Sequence, residues 1–115
     1  MALLQSDTRL RDGMVDSSIK ELVEKYGVEN PLTGGILVVD DEPPNLIVLE
    51  TFLGTDYTVQ VAHSGEEALE VVDRVPVDVI ITDQRMPGIT GVDLLEVVRE
   101  KRPDIAGIVL TGYSD

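Results

Sequence analysis

The apolar positions of this chain change their period several times. Ile19, Leu22, Val23 and Tyr26 recur at the i, i+3, i+4, i+7 spacing of one helical face. Ser18 and Glu21 have the spacing of a capping box, with Asp16 and Ser17 as alternative caps. Gly27 supplies a stop, and Pro31 with Gly34 and Gly35 reads as a linker. Residues 1–15 are polar and unpatterned, which predicts a flexible lead-in. The chain therefore divides into an N-terminal extension, 1–34, with one amphipathic helix, and a main domain, 35–115.

In the main domain two periods alternate. Ile36, Leu37, Val38 and Val39 form an unbroken apolar run, the mark of a strand buried on both faces. Beyond Pro43 and Pro44, the positions Leu46, Ile47, Leu49, Phe52 and Leu53 predict a helix stopped by Gly54. Residues 57–62 alternate as a second strand. Ser64 and Glu67 form a capping box before Ala68, Leu69, Val71 and Val72. A third strand spans 77–82, Thr90 caps a third helix through Val92, Leu94, Leu95 and Val98, and a fourth strand covers 105–110. Alternating strands and helices with short connections imply right-handed crossovers, hence an α/β fold with a parallel sheet covered on both faces.

In such sheets ligands sit at the carboxyl ends of the strands. The first strand ends in Asp40, Asp41 and Glu42, the third in Thr82 and Asp83, and the fourth in Thr111 and Gly112. Carboxylates brought that close repel one another, and a hard divalent cation with oxygen ligands, Mg²⁺ above all, relieves the conflict. A single Asp after a strand is more often a turn former or cap; acids on two strand ends and a Thr on a third shift that balance.

These residues, with Ile36-Leu37-Val38-Val39-Asp40-Asp41-Glu42 and Asp83-Gln84-Arg85-Met86-Pro87-Gly88 followed by Gly91, resemble the receiver domains of two-component response regulators. The resemblance runs from Ile36 to the end of the chain. It implies a flavodoxin-like fold of strand order 2-1-3-4-5 and a phosphoryl group accepted on Asp83 from a histidine kinase or phosphotransfer protein. It further implies Mg²⁺, or Mn²⁺, held directly by Asp41, by Asp83 and by the backbone carbonyl of Arg85, with Asp40 acting largely through water. Thr111 would be the switch hydroxyl. Such a domain is a self-phosphorylating phosphoacceptor rather than a conventional enzyme. Met86-Pro87-Gly88 is expected to make a rigid turn, because Pro fixes φ and Gly allows it to be positive. His63, the one histidine, reads as loop surface, and the Arg85 side chain as exposed.

The family pattern continues through a fourth helix, a fifth strand ending in a lysine, and a fifth helix, whereas this chain stops at Asp115. A receiver lacking its last β and α elements is therefore expected, with the edge of the fourth strand left open. That edge, or the N-terminal helix, predicts a homodimer or larger assembly. The alternative to a working phosphoacceptor is a truncated receiver-like interaction module without phosphotransfer. An aspartate-nucleophile phosphohydrolase would have a second Asp where Arg85 stands, and a dinucleotide fold would have a glycine-rich turn where Asp-Asp-Glu-Pro-Pro stands.

Bulk properties narrow the partners. A net charge of −13, from nine basic and 22 acidic residues, disfavours direct contact with nucleic acid. With no cysteine, thiolate metal sites and disulfides are excluded. No apolar run reaches the roughly 20 residues that cross a bilayer, so a cytoplasmic protein with no membrane contact is expected.

Overall fold

The computed structural model describes residues 3–6, Val23 and residues 35–110. Its strands are β1 (Leu3–Ser6), β2 (Gly35–Val39), β3 (Thr58–Ala62), β4 (Val79–Asp83) and β5 (Ala106–Leu110). Three helices alternate with them: α1 (Pro43–Leu53), α2 (Gly65–Arg74) and α3 (Gly91–Lys101). The strands form one parallel sheet in the order β1-β5-β4-β2-β3. Each strand and helix expected between residues 36 and 110 is present, with ends moved by one or two residues.

The pleat sorts the unbroken apolar runs onto two faces, since successive side chains of a strand point to opposite sides. Leu37 and Val39 of β2, Ile80 of β4 and Val109 of β5 pack with Ala68, Val71, Val72, Leu94, Leu95 and Val98 of α2 and α3. Ile36 and Val38, Val79 and Ile81, and Ile108 and Leu110 face the other way, onto Leu46, Leu49 and Leu53 of α1. Gly107 belongs to the α3 side, where a Cβ would lie 2.7 Å from Leu95 Cδ1; its absence lets that leucine settle onto the sheet. Ile47, counted among the helix's apolar positions, points outward and is 62% exposed.

The helix starts follow local chemistry. Ser64 Oγ accepts the amide of Glu67 at 3.0 Å, and Thr90 Oγ1 accepts that of Asp93 at 3.2 Å, so α2 and α3 are capped as expected. The return half of the α2 box goes elsewhere: Glu67 Oε1 accepts from the amide of His63, one residue before the cap. At α1 the cap residue Glu42 makes no side-chain capping bond; Pro43 and Pro44 open the helix and have no amide to satisfy.

Two expectations about the ends need correction. Within residues 1–15, read as a flexible lead-in, Leu3–Ser6 forms a strand that pairs parallel with β5, Leu3 opposite Gly107 and Ser6 opposite Leu110. The outer edge of the expected fourth strand, β5 here, is consequently closed from within the chain, and the argument for a homodimer through that edge falls away. Leu3-Leu4-Gln5-Ser6 is too short to show a period of its own, and its partner strand lies about 100 residues along the chain. Of the expected N-terminal helical face, Val23 is helical and fully buried in the α1-side core. Ile19, Leu22 and Tyr26 lie outside the described residues.

If β1 supplies the closing ladder, proline on it should open the sheet. Alternate amides of an edge strand point toward the neighbour, so one of Leu4→Pro and Gln5→Pro removes a donor to β5. That variant should lose roughly 1–3 kcal/mol in urea unfolding. It should also self-associate with concentration more strongly than wild type in sedimentation experiments, because the bared β5 edge becomes a template for pairing.

Candidate functional site

Strands β2 and β4 are neighbours, with Val39 opposite Thr82. The next residues, Asp40 and Asp83, therefore emerge side by side at the carboxyl edge, and Asp41 follows at once. One carboxylate oxygen from each of Asp40, Asp41 and Asp83 can be chosen so that all three lie within 4.8 Å of one another. Asp40 and Asp83 are 1% and 5% exposed, whereas Asp41 faces solvent. The sequence placed these three acids together, and the structure brings them together.

Their surroundings differ. Asp40 is tied into the first turn of α1: Oδ1 accepts the amide of Glu42 at 2.9 Å, and Oδ2 accepts Asn45 Nδ2 at 3.1 Å. Burial nonetheless dominates and, with the charge of Asp83 adding to it, pushes the Asp40 pKa up to about 6. Asp83 is also raised, first by burial and then by the charges of Asp41 and Glu42, while the backbone amides of Arg85 and Gln84 pull it back. Asp83 Oδ1 is buried and has no hydrogen-bond partner. A buried carboxylate oxygen without a donor, beside two more carboxylates, is the environment that a hard cation with oxygen ligands would satisfy.

The loop after Asp83 is fixed at several points. Met86 is buried in the α2/α3-side core, and Gly88 has φ +81°, the left-handed conformation expected of the Met-Pro-Gly turn. Ile89 lies where a Cβ on Gly65 would be, so the loop rests against the start of α2. Gln84 Oε1 accepts the amide of Val92 at 2.8 Å, and the Gln84 carbonyl accepts that of Gly91 at 3.2 Å. Asn45 and Gln84 were not singled out from the sequence. Their spacing from Asp40 and Asp83, five and one residues, is ordinary, and only the geometry gives them a task. The Arg85 side chain is exposed, as is His63, whose Nδ1 lies 3.3 Å from Glu67 Oε1. Thr111 lies outside the described residues; β5 ends at Leu110, the register partner of Asp83.

Residues 36–115 match the family pattern of the response regulator receiver domain. The chain belongs to that family. The hydrogenase transcriptional regulatory protein HoxA of Cupriavidus necator is 46% identical over 80 residues, 70% of this chain and 17% of HoxA. This chain thus spans about a sixth of the length of that relative. The Thermotoga maritima response regulator TrrA, solved in complex with Mg²⁺-BeF, is 40% identical with a TM-score of 0.66, over 70% of this chain and 71% of that one. TrrA in complex with the histidine kinase ThkA gives 40% identity and a TM-score of 0.65, over 71% of this chain and 72% of that one.

The receiver fold expected from the resemblance is therefore present, with β1 as the strand flanking β5. Among the described residues, no helix is long and apolar enough to cross a membrane.

Two outcomes test this receiver site. A folded-state pKa raised above the ordinary 3.8 means that Asp40 contributes most below about pH 4, and that this contribution is lost as pH rises through about 6. In EDTA, Asp40→Asn should therefore gain stability over wild type as pH goes from about 4 to 7, by on the order of 1–3 kcal/mol in paired urea titrations. Gly91 tests the backbone: a Cβ there would meet the Asp83 carbonyl at 2.5 Å. Gly91→Ala should cost roughly 1–3 kcal/mol in the same assay, because either the Asp83–Gln84 peptide or the helix must move.

Proposed function

We propose that this receiver domain accepts a phosphoryl group on Asp83 from a histidine kinase or phosphotransfer protein, in the cytoplasm. The observation that carries the reading is the buried, donorless Asp83 Oδ1 beside Asp40 and Asp41. The TrrA structures, one with Mg²⁺-BeF and one with a histidine kinase, support it by similarity.

Asp41, Asp83 and the Arg85 carbonyl would hold Mg²⁺, or Mn²⁺ in its place. Asp40, with both oxygens already engaged by Glu42 and Asn45, would act through water. A bound Mg²⁺ would neutralise negative charge on the incoming phosphoryl oxygens. The chain's own residues do the rest. An Asp83 oxygen attacks phosphorus; a P–O bond forms as the P–N bond of phosphohistidine breaks, and the imidazole nitrogen keeps the electron pair and takes up a proton. Thr111, the residue after the Asp83 partner Leu110, would turn its hydroxyl toward the new group. The domain is a phosphoacceptor that turns over its own modification, not an enzyme acting on a separate substrate.

The test is incubation with acetyl phosphate and Mg²⁺ followed by intact mass. Wild type should gain one phosphoryl group, Asp83→Asn none, and chelation with EDTA should prevent the gain. Asp41→Ala should weaken Mg²⁺ binding from an expected millimolar Kd (roughly 4 kcal/mol). A folded wild-type protein that stays unmodified would favour an interaction module over a phosphoacceptor.

A further inference from the structure

The residue after the acceptor, Gln84, makes two bonds to the start of α3. Its side-chain oxygen accepts the Val92 amide at 2.8 Å, and its carbonyl accepts the Gly91 amide at 3.2 Å. Gly91 lies so close that a Cβ would be 2.5 Å from the Asp83 carbonyl and 3.1 Å from Gln84 Cα. The first turn of α3 is thus packed on the Asp83–Gln84 peptide, through a glycine on the helix side and a side-chain bond from Gln84 on the loop side.

The far end of the loop is anchored separately. Met86 is buried in the core, and Ile89 rests on Gly65 of α2. Between these two anchors lies Arg85. Its preceding peptide is held by Gln84 and its following one by Met86, so the span that would present the Arg85 carbonyl is short and fixed at both ends. A bond to the amide of Val92, near a helix start, also satisfies one of the orphan donors there.

We infer that Gln84 is a positioning residue: by bonding the Val92 amide it ties the phosphoacceptor turn to α3 and holds the Asp83 carboxylate and the Arg85 carbonyl in a geometry that binds the divalent cation. This inference rests on the phosphoacceptor reading above. It concerns affinity and orientation, and Gln84 touches neither the phosphoryl donor nor the reacting atoms.

The bond can be broken from either side. Gln84→Met keeps length and removes the acceptor. Val92→Pro removes the donor, and proline is tolerated at the second position of a helix, as Pro44 shows in α1. Mg²⁺ titration by calorimetry, with Mn²⁺ as a second probe, is run on wild type, both single variants and the double variant, beside thermal midpoints and acetyl phosphate labelling rates. Each single variant should weaken metal binding about 3- to 10-fold and slow labelling at subsaturating Mg²⁺, and the double variant should be no worse than the weaker single one. A purely structural bond would lower the midpoints and leave metal affinity and labelling unchanged, which overturns the inference. So would additive losses in the double variant. If one variant fails to fold, the other still reads the same bond. If wild type binds no metal and takes no label, the phosphoacceptor reading falls and this inference with it; a normal wild type with unchanged variants removes the tether alone.

Discussion

The pairing of β2 with β4 governs this molecule. It is a ladder of buried residues, apolar except for Thr82, from Ile36 opposite Val79 to Val39 opposite Thr82, and helices cover both of its faces. Hydrophobic burial holds the register, because a slip of one residue would turn each strand's side chains to the wrong layer. That same register delivers Asp40 and Asp83 to one point at the sheet's edge. The core thus forces together two carboxylates that electrostatics would separate, and burial above all, with neighbouring negative charge adding to it, raises the proton affinity of both. The apolar layers hold the acids in place, and a hard cation is the natural relief.

Around this point the chain controls the carboxylates unequally. Asp40 is bound into the first turn of α1 through Glu42 and Asn45, and so is fixed by its own neighbours in sequence. Asp83 has one oxygen with no protein donor, and its loop is instead tied to α2 and α3. One acid is thus kept still while the other is left chemically available. Glycine appears where the loop needs a near approach or a positive φ: Gly65 under Ile89, Gly91 against Asp83, and Gly88 at the turn.

The N-terminal segment completes the sheet from the opposite end of the chain. β1 lies parallel on β5, where the receiver order 2-1-3-4-5 has its fifth strand, and Val23 packs on the α1 side of the sheet. Physically the order of elements matters less than closure: β5 is apolar and buried, and its free amides need partners from whatever strand can reach them.

The sequence by itself determined the layered architecture and the acidic edge. Short β-branched runs such as Ile36 to Val39 read as strands buried on both sides, and the helical repeats between them leave a parallel sheet as the arrangement that buries every stripe. Strand ends then carry Asp40, Asp41 and Asp83 to one edge without further information. The caps Ser64 and Thr90 and the turn at Gly88 were legible for the same reason, since each acts over a few residues. Tertiary structure decided what is non-local. The strand at Leu3–Ser6 has no period of its own and exists through its pairing with β5. The roles of Asn45 and Gln84 depend on where a carboxylate and a helix start come to rest, and Asp83 Oδ1 is donorless only once the strands close around it. Periodicity records which side of an element meets the core; it carries no record of which distant groups meet each other there.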